Sequence, residues 1–223
     1  MIFNPNLAIL PLPQLRLWQE LDATPGSFTL YGGTALALRL GHRASIDFDF
    51  FSNQSFDPDE LAVSIPYLKR AERVRVAPNT LTCRVDRDGP VLVSFSGGLG
   101  LGQALPRDQA HGRTFYVAAL LDIAGTKVAV VQKRAEAKDY LDIDALLQNG
   151  IDLPTALAAG RVVYGPSFNP MITLKALSFF DDVPTLPVDV RKRLSAAVES
   201  VDPASLPVLR PYAKRADENG HTP

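Results

Sequence analysis

At 223 residues the chain is long enough for one large domain or a domain with an extension, and 46% hydrophobic against 21% charged residues excludes wholesale disorder. A net charge of −1 excludes the global basic field of a general nucleic-acid binder, while leaving room for a local basic patch. The single cysteine, Cys83, excludes an internal disulfide and a paired-cysteine metal site, and fits a reducing compartment.

The first residues, MIFNPNLAILPLPQ, have no basic segment and a short apolar run broken by prolines, so they do not read as a signal peptide. No apolar run approaches the roughly 20 residues that span a bilayer. A soluble, cytoplasmic protein with no membrane partner is expected.

Residues 1–12 read as irregular. Pro13–Leu21 places Leu15, Leu17, Trp18 and Leu21 near one helical face. Phe28–Tyr31 reads as a strand running into Gly32-Gly33. Thr34–Leu40, rich in alanine and leucine, suits a helix stopped by Gly41. Ser45–Phe51 alternates and reads as a strand. Asp57-Pro58-Asp59-Glu60 starts a helix expected to reach about Arg70. Strands follow at Arg73–Ala77, Thr80–Val85 and Val91–Phe95, the last two joined by an Asp88-Gly89 turn. Helices are expected at Ala118–Arg134, Lys138–Leu147, Pro154–Val163, Pro170–Phe179 and Val188–Val198. The tail from Val201 is rich in proline and charge and reads as partly disordered. The fold class is α+β, with a small mixed sheet followed by a helical C-terminal region. The expected domains are 1–117, 118–200 and a tail at 201–223.

Within the strand Ser45–Phe51, Ile46, Phe48 and Phe50 point one way, into a core. Asp47 and Asp49 point the other way, with Cα atoms about 6.5–7 Å apart. Carboxylate oxygens at that spacing are hard ligands suited to one or two Mg²⁺ ions, with Mn²⁺ as a substitute. By itself such a pair also describes a solvated strand face. Upstream, Gly32, Gly33 and Thr34 sit where a strand meets a helix, where bare backbone and free N–H groups can cradle a triphosphate. Thr34 adds a hydroxyl, Arg39 and Arg43 are within reach of an anion, and Ser45 joins the nucleotide-binding set. A cradle followed a dozen residues later by a carboxylate pair reads as one functional unit.

Further along, Lys127 starts a polar stripe. On one continuous helix Arg134 lies about 20° to one side of it and Lys138 about 20° to the other, with Asp142 a turn further. A break near Ala135–Ala137, or a solvated face with Lys138 paired to Asp142, fits the same residues.

GGTALALRLGHRASIDFDFFS resembles the signature of the AbiEii/AbiGii toxin family, a branch of the DNA polymerase β nucleotidyltransferase superfamily. Leu121–Leu147 is similar to that family's K…R…KD-x-x-D segment, and Phe168–Val183 to its C-terminal helical region. The resemblance covers most of 28–183. It implies a polymerase β-like core, with Asp47 and Asp49 as metal ligands and catalytic residues. It further implies Lys127 on the triphosphate, with Arg134, Lys138 and Asp142 framing the site, Lys127 and Asp142 among the catalytic residues and Asp139 structural. It implies transfer of NMP from an NTP to an acceptor hydroxyl, on tRNA or another RNA, by the toxin of a toxin–antitoxin or phage-defence system, with a cognate antitoxin.

One departure stands out. The third carboxylate usual in polymerase β-type enzymes falls at Ser94, which is neither an ionised base nor a good Mg²⁺ ligand. Asp142, Asp86, Asp88 or the substrate would have to replace it. A fold that binds nucleotide or a protein partner without turnover is the alternative, and a purely structural partner protein a third reading. Gly97–Gly102 (GGLGLG) is followed by a proline rather than a helix, which argues against a dinucleotide cradle. His42, His111 and His221 have no ligand spacing.

Overall fold

The computed structural model describes residues Met1–Ala213, which form two compact units. The first comprises Met1–Gly100 and Pro106–Ala119; the second comprises Leu101–Leu105 and the described residues from Leu120 onward.

The first unit holds one mixed sheet. In chain order its strands are β1 (Ile2–Phe3), β2 (Thr29–Tyr31), β3 (Asp47–Phe51), β4 (Glu72–Ala77), β5 (Thr80–Asp86), β6 (Pro90–Ser96), β7 (Asp108–Ala110) and β8 (Tyr116–Val117). Of these, β3, β5 and β6 show the period-2 alternation of a half-buried strand. The spatial order is β1-β7-β8-β2-β3-β6-β5-β4. β3 runs antiparallel to β2 and parallel to β6, while β5 and β6 form a hairpin. The hairpin turn holds Asp88 and Gly89 at φ 56 and 149, which asparagine, aspartate and glycine tolerate best.

One sheet face buries Phe48, Phe50, Leu81, Cys83, Val85, Val91, Val93 and Phe95. Phe50 stacks on Phe95, and Phe28, Phe115 and Trp18 close the aromatic cluster edge-on. The α-helices among the described residues of this unit are α1 (Leu12–Trp18), α2 (Gly32–Leu40) and α3 (Pro58–Ser64). α2 buries Ala35–Leu38 and stops at Gly41, at φ 66. Asp57 caps α3 by accepting from the Asp59 and Glu60 amides.

Several expectations change. Among the described residues the sheet has eight strands rather than the five expected, because β1, β7 and β8 are too short to show a period; β1 also replaces the expected irregular start, pairing with Gln109 and Ala110. Ile46 does not join the core: it is 56% exposed, and the ladder with β6 begins only at Asp47. α1 ends at Trp18 and leaves Leu21 to a separate short turn. α3 ends at Ser64 rather than near Arg70, since a residue before proline, here Ile65 before Pro66, avoids helical backbone.

The second unit is helical: α4 (Leu120–Val130), α5 (Ala137–Gln148), α6 (Leu153–Tyr164), α7 (Pro170–Ala176) and α8 (Val188–Glu199). α4 is shorter than expected at both ends, and α7 stops before Phe179. Small residues let α4 and α6 touch backbone to backbone: a Cβ on Gly125 would lie 2.8 Å from the Ala159 carbonyl carbon. Asp122, buried in α4, accepts from the amides of Ala104 and Leu105, which fixes that returning segment to the helices. Asp144 of α5 takes a two-pronged ion pair from Arg193 of α8, at 2.7 and 2.8 Å. Of the tail expected to be disordered, residues 201–213 carry no helix, yet Leu206 is buried and Ala213 bridges to Gln103. Residues 214–223, His221 among them, lie outside the described residues.

Candidate nucleotide-binding site

β2 delivers the chain into α2 at Gly32, whose φ of 74 is a backbone conformation that side chains resist. A Cβ there would lie 2.6 Å from Asp49 Oδ2, so the first turn of α2 abuts that carboxylate directly. Gly33 meets the Arg43 guanidinium in the same way, and Arg43 also donates to the Ala44 carbonyl at 3.0 Å.

Thr34 and Ser45 are buried. The Thr34 hydroxyl donates to the Asp47 carbonyl, and its oxygen lies 2.7 Å from Ser45 Oγ. Since Thr34 has one proton and uses it on Asp47, Ser45 is the donor in that pair. Both hydroxyls therefore brace α2 against the start of β3. Expected to bind nucleotide, they are placed by the structure beneath the helix start, with both hydroxyls turned to the protein.

Arg39 is also reassigned. It lies at the other end of α2, about 10 Å along the axis from Gly32. Its guanidinium is buried against Asp108 at 2.9 Å, the Ala118 carbonyl and the Phe3 ring. Burial pulls its pKa down and Asp108 opposes that shift. It pins the helix to β7 and β8 and does not reach an anion at Gly32.

Along β3 the alternation holds: Phe48 and Phe50 are fully buried, while Asp47 and Asp49 are half-buried on the other face. Asp49 pairs in register with Tyr31 on one side and Ser94 on the other. Ser94 Oγ donates to Asp49 Oδ1 at 2.6 Å. Leu92, Ser94 and Ser96 share the face, so β6 supplies no third carboxylate. Asp86 and Asp88 do not replace it. They sit at the hairpin turn, where Asp86 accepts from Gly89 and Asp88 pairs with Arg16, about 13 Å along β6 from Ser94. Tyr31, in register with Asp49 and stacked on Phe51, was not foreseen, because cross-strand register has no local signal.

Among the described residues no group of three or more histidine, cysteine, aspartate or glutamate side chains gathers to hold a metal ion. Two neighbouring carboxylates nevertheless fit Mg²⁺, which keeps several waters and takes one or two carboxylates plus substrate phosphates. Cys83 is buried in the core and burial pushes its thiol pKa up, consistent with an inert role.

The second unit gathers its own charges. α4 ends at Val130 and α5 begins at Ala137, so the continuous stripe does not exist. Instead Lys127 of α4 meets two carboxylates three residues apart on α5, Asp139 at 3.0 Å and Asp142 at 2.6 Å. All three are buried. Arg134 grips Asp139 through two nitrogens, at 2.8 and 3.2 Å. Lys138 stands apart: half exposed, it pairs with Glu136 at 2.8 Å rather than with Asp142. Thus Gly32, Gly33, Arg43, Asp47 and Asp49 come together in the first unit. Lys127, Arg134 and Asp142 come together in the second, around Asp139.

A mixed sheet with a glycine-led helix against a strand carrying Asp-x-Asp, followed by helices, defines a nucleotidyltransferase fold. Two solved structures share it. The nucleotidyltransferase toxin MenT4 of Mycobacterium tuberculosis aligns with a TM-score of 0.53 at 20% identity, over 82% of this chain and 80% of that one. An H. pylori protein described as a nucleotidyltransferase aligns with a TM-score of 0.52 at 16% identity, over 82% of this chain and 91% of that one. The signature of the nucleotidyl transferase AbiEii toxins of type IV toxin–antitoxin systems matches residues 16–217, and the chain belongs to that family. An uncharacterised protein of Aquifex aeolicus is 30% identical over 158 residues, covering 70% of this chain and 74% of the relative.

Proposed function

We propose that the protein is a Mg²⁺-assisted nucleotidyltransferase that moves NMP from an NTP to an acceptor hydroxyl on tRNA or another RNA. It acts in the cytoplasm as a toxin restrained by a cognate antitoxin. The observation that carries this reading is the glycine start of α2 lying directly against Asp49, on the strand face that also presents Asp47. The acceptor oxygen attacks the α-phosphorus; a P–O bond forms, the bond to the β-phosphate oxygen breaks, and pyrophosphate leaves. The hydroxyl proton passes to a substrate phosphate oxygen or to water, since Ser94 offers no base. Asp47 and Asp49 would hold the cation, one or two ions, which would offset charge on the leaving pyrophosphate. Gly32 and Gly33 leave bare backbone for the phosphates, and Arg43 supplies a cation beside them.

The family resemblance extends the proposal to Lys127 at the triphosphate and to Arg134 and Asp142 around it. In the structure Asp139 and Asp142 hold the buried Lys127 ammonium within the helical unit, so this part of the proposal rests on the family resemblance. Folded Lys127→Met protein that still transfers at the wild-type rate would remove Lys127 from the proposal.

Incubation with each labelled NTP, Mg²⁺ and total RNA, read on a gel, tests the reading. Label transfer is expected, and Asp47→Ala or Asp49→Ala should abolish it; activity retained in both variants sinks the assignment. Ser94 favours a second reading, a protein that binds nucleotide without turnover. Calorimetric NTP binding with no incorporation from any of four NTPs into a tRNA pool would establish it.

A further inference from the structure

Ser94 occupies the strand position directly beside Asp49, with its oxygen 2.6 Å from Oδ1. An ionised carboxylate only accepts, so the serine donates, and the distance is that of a charge-assisted bond. The other oxygen, Oδ2, is bounded by Gly32, where even a methyl group would come within 2.6 Å. The last torsion of an aspartate is ordinarily broad. Here one oxygen is tied and the other is walled by helix backbone, so the carboxylate has one orientation.

We propose that Ser94 is a positioning residue that presets the Asp49 carboxylate for a divalent cation. This rests on the reading of Asp47 and Asp49 as cation ligands. A third carboxylate at this place would add a ligand and a negative charge; serine adds neither, but it removes the freedom of the ligand that remains. Partners that orient a metal ligand are typically worth roughly 10–100-fold in metal affinity.

The test is Mn²⁺ binding to the full chain, followed by electron paramagnetic resonance in the presence of a non-hydrolysable NTP analogue. Ser94→Ala should weaken Mn²⁺ binding by roughly 10–100-fold while the cation-free affinity for the analogue stays unchanged. Ser94→Thr, which keeps the hydroxyl on a β-compatible residue, should restore it to within about threefold. Ser94→Ala protein that binds Mn²⁺ as the wild type does overturns the proposal, as does failure of a folded Ser94→Thr variant to rescue. Asp49→Asn separates the two levels of inference. If it too leaves Mn²⁺ binding intact, or if the wild type binds none, the carboxylate reading falls together with the role of Ser94. If only Ser94→Ala is silent, the role of Ser94 alone is lost.

Discussion

Gly32 carries two constraints at once, a left-handed backbone and a carboxylate against its α-carbon. Gly32→Ala should therefore cost about 1–2 kcal/mol from the backbone alone. It should also displace Asp49 and weaken nucleotide binding more than stability, which parallel melting and NTP titrations would separate. Lys127 is a different case. Removing it leaves Asp139 and Asp142 buried without the ammonium that both of them accept from. Lys127→Met should destabilise the fold by about 3–5 kcal/mol, seen as a lower urea midpoint. Both residues were visible in the sequence, but for different reasons. Gly32 and Asp49 announce themselves locally, by a glycine pair before a helix and by alternation in a strand. The partners of Lys127 were half visible: Asp142 and a break near Ala135–Ala137 were both in the sequence reading, but ion pairs made across the break carry no local signal. Arg39 misled for the same kind of reason: its partner Asp108 is distant in the chain.

At the level of elements, the chain signals starts and stops better than pairings. The Asp57 cap, the Gly41 stop and the Asp88-Gly89 turn each depend on one or two residues and appear where they were expected. Register does not, and the short strands β1, β7 and β8 exist only through their neighbours. The α4–α6 contact is the most sensitive pairing in the helical unit, because Gly125 faces the Ala159 backbone rather than a side chain that can swing away. Gly125→Val should separate the two helices at a cost of about 1–3 kcal/mol or more. Faster amide exchange in α4 and α6 than in α8 would confirm that the damage is local.

For the whole molecule, acid is the informative perturbation. Lys138 holds the Glu136 carboxyl below its usual range, Arg193 does so for Asp189, and Ser205 with the Ala204 amide does so for Asp202. Each pKa is lower folded than unfolded, so the stabilisation is present above the ordinary carboxylate range and is lost as pH falls through the folded value. Melting temperature should be insensitive to these groups from pH 5 to 7 and should fall below about pH 4. Salt should blunt the contributions of Glu136 and Asp189, whose partners are charged, and spare that of Asp202, whose partners are neutral.

The excursion of Leu101–Leu105 has a consequence for synthesis and for dissection. Among the described residues the chain crosses between its two units three times: after Gly100, after Leu105 and after Ala119. The sheet unit is thus incomplete until its last strands leave the ribosome, and residues 101–105 emerge before the helix that receives them. They must wait for the carboxylate of Asp122 to follow. No single cut frees either unit whole. A fragment starting at Leu120 would carry Asp122 buried without its two amides, and should fold poorly until a peptide spanning 100–106 is added back in trans.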